Sequence, residues 1–329
     1  MQSFPDRKCI DPSCFAALRV RMTSALRSVS SAKKALPGIN VAKLAPENRS
    51  RKEPLLSRLR PIAGRHNPLI KELRRAFSRS ELTSDDQYAI EGLRILEEAI
   101  RSGVRFRAVF FSDSAQNKAA KLLPQIGAHV ETLLLPDNLF ANVVPSETPQ
   151  GVAALVRWKE YSLDDVLARA QSGPILAIAG LQDPGNLGTI LRSAEAFAAA
   201  GVLLEEGTVS PFNSKVVRAS AGSIFRVPIA RTTLPATLGT MRKQGLRLVA
   251  TSSHKGVPLP DANLTGALAI FIGSEGAGLA RDLISQMDEV IVVPHSARVE
   301  SLNAGVAAGI VLYESARQRT DREAKSEPS

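Results

Sequence analysis

Cysteine is nearly absent from this chain: Cys9 and Cys14 are the only two in 329 residues, and both stand near the N-terminus. No second Cys or His pair is spaced to complete a zinc site, so neither a disulfide framework nor a metal is expected. Such usage suits a reducing compartment. Long apolar runs are missing too. None approaches the roughly 18 residues that a membrane span requires, and the longest stop at strand length against Gly, Pro or polar residues. Histidine is scarce, with four in all. His66 and His129 fall outside the motif-bearing region, His254 lies in a polar stretch, and His295 has no Gly-x-Ser-x-Gly partner, which leaves a hydrolase triad unsupported. No dinucleotide fingerprint occurs, and no glycine loop ends in Lys-Ser or Lys-Thr, so phosphate-loop nucleotide binding is disfavoured.

Acidic residues are thin at one end only. Residues 1–65 hold fourteen Lys or Arg against four Asp or Glu, and the remainder balances at twenty-eight of each, so the whole net charge of +10 resides in the first fifth. A basic arm on a neutral body gains affinity for phosphates by releasing counterions. The acid-free stretch from Ser13 to Pro37 is rich in Ser, Ala and Arg, which is also the composition of a transit peptide, and Met22 is an alternative start. A phosphate-touching or solubilising extension over residues 1–60 is the preferred expectation, with the cytoplasm as location; a targeting role would send the protein to an organelle matrix.

What remains is long enough for two ordinary domains. After Asn67-Pro68, apolar Leu69, Ile70 and Leu73 share a helical face, and Leu93, Leu96 and Ile100 repeat the pattern within 92–102. Strands are expected at Phe106–Phe111, Val130–Leu135 and Gly151–Trp158, giving a small α/β unit over 61–158. Residues 159–173 are polar enough for a linker or connecting helix. Beyond them, short apolar runs at Ile175–Ala179, Val202–Glu205, Leu246–Thr251, Leu268–Ile272 and Val290–Val293 alternate with helical patterns at Leu187–Ala200, Leu234–Gln244 and Leu302–Arg317. That alternation predicts βαβ units and a parallel sheet covered on both faces. A polar tail is expected at 320–329.

Three segments are more specific than scaffold. The first runs from Gln182 to Phe197 directly after a strand, and its Asp183-Pro184-Gly185-Asn186 turn leads into a helix whose free amides face an opening. Arg192 follows within two helical turns of Gly185. The second, Gly273-Ser274-Glu275-Gly276-Ala277-Gly278, has glycines that permit close backbone approach to a ligand. Its Glu275 would repel phosphate but can orient an amine, an amide or an Arg. The third runs from Val293-Pro294 to Ser301-Leu302-Asn303, where Ser301 is a suitable N-cap for the last helix. Taken singly, each has a plainer reading: Asn186 and Ser301 as caps, Arg192 as an exposed helix residue, and the glycines as an ordinary strand-to-helix turn.

Together and in this order, the segments resemble the three motifs of the SpoU or TrmH-like family of RNA 2′-O-ribose methyltransferases, within the SPOUT superfamily. The likeness covers roughly Ile175 to Arg319. The Asn-x-Gly-Thr-Ile-x-Arg core, the Gly-Ser-Glu-Gly-x-Gly loop and the spacing from Pro294 to Ser301-Leu302-Asn303 are all intact. Residues 66–158 resemble the family's small ribosomal-protein-like domain, most clearly at Tyr88-Ala89-Ile90-Glu91-Gly92-Leu93-Arg94. Two departures stand out: Ala198 where a Gly is usual, and His295 where a Met is common.

The resemblance implies an α/β fold in which a trefoil-knotted, parallel-sheet methyltransferase domain over 174–319 follows a small substrate-binding domain. It implies S-adenosyl-L-methionine as cofactor, contacted by Gly273, Val293, Leu302 and, at a strand end, Thr251. It also implies a homodimer in which both copies contribute to each site, and no metal. Arg192 would grip a phosphate and stabilise charge developing on the ribose 2′-oxygen, because a guanidinium stays protonated and is a poor base. Asn186, Glu275, Ser301 and Asn303 would hold Arg192, the ribose and the cofactor in register. The 2′-hydroxyl marks the substrate as RNA. Ribosomal RNA is favoured because a presenting domain is present; transfer RNA and a catalytically silent RNA-binding protein are the alternatives, and the intact motif residues argue against silence.

Overall fold

The computed structural model describes residues 56–62 and 64–326. Expectations for the basic arm at 1–55 and for the last three residues lie outside the described residues.

The first sheet has five strands, β1 (Arg60–Pro61), β2 (Gln87–Glu91), β3 (Phe106–Ser112), β4 (Glu131–Leu135) and β5 (Val152–Arg157), in the order β1-β4-β3-β5-β2. Around it lie α1 (Pro68–Arg79), α2 (Leu93–Arg101), α3 (Gln116–Leu122) and α4 (Asp137–Ala141). Asn67 caps α1 by accepting from the Leu69 amide at 2.9 Å, with Pro68 at the first helical position. Residues 56–60, placed by their charge within the arm, belong to this unit. Leu59 is buried, and the Arg58 guanidinium donates to the carbonyls of Leu123 at 2.9 Å and Ile126 at 3.1 Å.

A short helix α5 (Leu163–Leu167) occupies the segment read as a linker or connecting helix. Its capping box is made by Ser162 and Asp165, each accepting from the other's backbone amide. The second sheet then holds β6 (Ile175–Ile178), β7 (Gly201–Glu205), β8 (Ile229–Thr232), β9 (Arg247–Ser252), β10 (Val257–Pro258), β11 (Leu268–Ile272) and β12 (Glu289–Val292). Their order is β10-β12-β9-β11-β6-β7-β8 and every pairing is parallel. Its helices are α6 (Pro184–Ala196), α7 (Ser214–Ala219), α8 (Leu234–Lys243), α9 (Arg281–Ile284) and α10 (Ala304–Ser326). In β6 all four residues are buried, and alternate side chains serve opposite cores: Leu176 and Ile178 pack with α6 and α10, whereas Ile175 and Ala177 pack with α5 and α8.

The two sheets are joined by specific contacts. Arg226 binds Glu98 at 3.0 Å and Ser102 at 2.9 Å from one unit and Glu195 from the other. The Ser210 hydroxyl donates to the Ser80 carbonyl, and Phe212 packs against Tyr88 and Trp158 with ring centroids 5.3 and 4.9 Å away.

Candidate active site

The site is built where β6, β9, β11 and β12 end. After β6 the chain turns through Gly180, and Asp183 caps α6 by accepting from the Asn186 amide at 2.7 Å, with Pro184 at the first helical position. This fixes Asn186 in the first turn of α6, buried at 8% exposure. Its side chain then reaches the loop after β11. Asn186 Nδ2 donates to Glu275 Oε1 at 3.0 Å, and Asn303 Nδ2 donates to Asn186 Oδ1 at 2.8 Å. Glu275 further accepts from the backbone N–H groups of Gln182 at 3.4 Å and Asp183 at 3.3 Å. Partial burial alone would raise the Glu275 pKa, but these hydrogen bonds outweigh it and hold the carboxyl below its ordinary value.

The loop carrying Glu275 closes on itself. Ser274 and Gly278 exchange backbone hydrogen bonds of 3.2 and 3.1 Å, and Gly278 has φ of 66°. Gly273 is obligatory, since a Cβ there would stand 2.2 Å from the Gly278 carbonyl carbon and 2.3 Å from the Leu279 amide nitrogen. Both neighbours are backbone and cannot give way.

Below this loop is a cavity of about 510 Å³, within the range of about 300–1,000 Å³ usual for small-molecule sites. Thr251, Gly273, Glu275, Val293, Ser301 and Leu302 line it together. Apolar walls come from Ile272, Leu279, Ile291 and Val311, and the backbone of the glycine loop forms one side. The donor set suits a ligand with a flat apolar group and a charged polar tail, which is the make-up of S-adenosylmethionine, and the close approach at Gly273 is a cradle that any Cβ would fill.

Three features depart from the sequence reading. Ser301 does not cap α10: the helix begins at Ala304, and Asn303 is the cap, accepting from the Val306 amide at 3.1 Å. Ser301 is exposed on the cavity wall with no hydrogen bond among the described residues. Arg192 does not line this cavity. It is exposed on α6, beside exposed Thr189 and Ala196, and has no hydrogen-bonded or ionic partner among the described residues. The last helix also extends to Ser326, through much of the expected tail, helped by an Arg317–Asp321 pair at 2.7 Å.

Other residues, beyond those given a site role in the sequence reading, also enter the site. Ser252, His254 and Glu300 line the cavity, and His295 does so with Nδ1 2.8 Å from the Val293 carbonyl oxygen. Gln182 spans from the Glu275 loop to the Gly207 carbonyl, to which its amide donates at 2.8 Å. Its position directly before Asp183 in the first motif was the only available signal.

A parallel sheet with a ligand-sized cavity at the carboxyl ends of its strands, closed by a glycine loop, defines an α/β small-molecule-binding catalytic domain. Residues 173–313 match the SpoU rRNA Methylase family, and residues 67–154 match the MRM3-like substrate binding domain. The chain is 30% identical over 255 residues to the 23S rRNA (guanosine(2553)-2′-O)-methyltransferase RlmP of Bacillus subtilis, covering 78% of this chain and 98% of that protein. The solved AdoMet-bound rRNA methyltransferase from Sinorhizobium meliloti is similar with a TM-score of 0.68 at 25% identity, covering 79% of this chain and 98% of that one. A solved RNA 2′-O ribose methyltransferase gives a TM-score of 0.66 at 30% identity over 79% of this chain and 100% of that one. The chain belongs to the SpoU family of RNA methylases.

Proposed function

We propose that this protein transfers a methyl group from S-adenosylmethionine to a ribose 2′-hydroxyl of structured RNA, with ribosomal RNA as the substrate class and the cytoplasm as its location. The observation that carries this reading is the polar chain Asn303–Asn186–Glu275, which ties all three motifs to one ligand-sized cavity. The cofactor, when bound, supplies a sulfonium-activated methyl group. The protein's work is alignment. Gly273, Val293, Leu302 and Thr251 would hold the cofactor, and the Glu275 loop, fixed by Asn186, would set one wall of the reaction space. The free Ser301 hydroxyl is available to the ribose. A trefoil knot formed by the cavity-bounding loops is part of the same reading.

Arg192 enters through a second copy of the chain. Val306, Ile310 and Tyr313 form an exposed apolar stripe on α10, at 50%, 36% and 55% exposure. Beside it lies the exposed α6 face that carries Arg192; the helices touch where Gly305 meets Thr189 and Gly309 meets Ser193. Two copies pairing through this joint face would bury the stripe and carry Arg192 toward the other copy's cavity, where it would grip a phosphate and stabilise charge on the 2′-oxygen. Mixing Arg192→Ala protein with Gly273→Ala protein tests the shared site: mixed dimers should regain about a quarter to a half of normal activity if one intact site forms per heterodimer, and no recovery would sink it. The substrate is tested by mapping 2′-O-methyl positions in total RNA with and without the gene. One ribosomal position lost in the deletion is expected; an unchanged map would overturn the reading.

A further inference from the structure

The chain has one tryptophan and three tyrosines, yet Trp158, Tyr88 and Tyr161 line a single cavity of about 440 Å³. It lies where β5 ends and the segment leading into β8 begins, with Phe225 and Val227 on its far side. The strands of the large sheet are all parallel, so this cavity, at the amino end of β8, is at the opposite end of the sheet from the cofactor cavity.

Its border is basic. Arg105, Arg157 and Lys159 are exposed there, and none is ion-paired among the described residues. Nearby Arg101, Arg107 and Arg226 are each committed to a carboxylate. Lys159 Nζ stands 4.7 Å from the Tyr161 ring centroid, an arrangement that keeps an ammonium beside an aromatic face.

Its interior is rigid and holds an unused donor. Trp158 is clamped edge-on by Tyr88 at 5.8 Å and by Phe212 at 4.9 Å. Tyr88 is 2% exposed, and its hydroxyl has no hydrogen-bond partner among the described residues. Burial pushes that hydroxyl's pKa up, so it stays a neutral donor. The hydroxyl is not sealed in the core, where Gln87 Oε1 is the buried side-chain atom left unpaired among the described residues, and it is free to donate to a ligand in the cavity that Tyr88 lines.

Aromatic faces, a cationic border and an unpaired donor, in a space of small-ligand size, are the features that receive an unstacked nucleotide. Inorganic phosphate would leave the rings unused, and an apolar ligand would leave the three cations unused. We infer that this cavity binds one unstacked nucleotide of the RNA substrate, its base against the Trp158 and Tyr161 rings and its phosphates on Arg105, Arg157 and Lys159. The inference rests on the RNA-methylating reading above. A second anchor at the far end of the sheet favours long, folded RNA over short strands, because only an extended structure reaches both sites.

Trp158 is the sole tryptophan, so its fluorescence reports this cavity alone. Titration of the full chain with hexauridylate and hexaadenylate RNA should give saturable quenching at low salt. The triple variant Arg105→Gln/Arg157→Gln/Lys159→Gln should weaken it on the order of tenfold or more, and Tyr88→Phe should weaken it severalfold, with melting temperature and S-adenosylmethionine affinity unchanged in both. Absence of quenching, or equal quenching in the triple variant, overturns the inference. Failure of the two ideas is separable. Methyl transfer to RNA without Trp158 quenching sinks the nucleotide site alone, whereas quenching without methyl transfer sinks the methylating reading and leaves the RNA site standing.

Discussion

Asn186 and Glu275, 89 positions apart in the chain, are joined by a 3.0 Å hydrogen bond from amide to carboxylate. Because Asn303 donates to the same Asn186 side chain, one residue holds both the glycine loop and the start of α10. Asn186→Ala should free the Glu275 loop and weaken cofactor binding more than it lowers the melting temperature. A hydrogen bond to a charged group contributes about 1.5–3 kcal/mol, so a loss of about ten- to a hundredfold in S-adenosylmethionine affinity is expected by calorimetry. Unchanged affinity would remove Asn186 from this role.

The depressed pKa of Glu275 carries a pH dependence with a definite sign. A carboxyl with a folded-state pKa below its unfolded value contributes stability that is present above the unfolded value and lost as pH falls through the folded one. Order in the 274–278 loop, and with it cofactor affinity, should therefore hold at neutral pH and decline below the ordinary carboxylate value of about 4.3. Glu275→Gln should be weaker than wild type at neutral pH, with the gap closing on acidification. A gap that stays constant from about pH 6 to about pH 3 would contradict the assignment.

Ala198 adopts φ of 53°, the left-handed conformation that favours glycine. The departure noted in the sequence is thus a backbone position where a Cβ is strained by about 1–2 kcal/mol. Glycine would relieve that strain and give back about 0.4–1 kcal/mol through a more flexible unfolded chain. Ala198→Gly should raise stability in denaturant titration by a net amount of about 1 kcal/mol. A loss of stability would show that the Cβ packs usefully there.

Arg192 has no partner of its own among the described residues, so its replacement should leave the fold intact and damage chemistry. Arg192→Ala should slow single-turnover methylation on the order of a hundredfold or more, as loss of one oxyanion-stabilising donor does in other enzymes. Arg192→Lys keeps the charge without the planar fork and should recover part of the rate. Cofactor affinity should barely change in either. Near-normal turnover in the alanine variant would remove Arg192 from the site.

Much of this architecture was legible because its signals are local. Among the five interior strands of the large sheet, β6, β7 and β11 are buried apolar runs and fall close to where hydropathy puts them. The strands that went unread are the edges of the two sheets: β8 and β10, four and two residues long, in the large sheet, and β1 and β2, two and five residues long, in the small one. At an edge, pairing with a single neighbour, and not composition, makes the strand. The start of α10 shows the complementary limit. Ser301 and Asn303 are both good caps, and only the tertiary bond from Asn303 to Asn186 decides between them. The motif residues were identifiable from their spacing, but the placement of Arg192 outside its own cavity was not, because a helical pattern does not say which face of α6 turns away from the cavity.

The most direct test of the account is methyl transfer by the purified protein. Wild-type enzyme, isotopically labelled S-adenosylmethionine and deproteinised ribosomal RNA lacking the modification should give labelled RNA. The labelled nucleotide should resist alkaline cleavage on its 3′ side, because a 2′-O-methyl group blocks attack on the adjacent phosphate. Label on a base, with alkaline cleavage intact at that nucleotide, or no label under conditions where the cofactor binds, would contradict it.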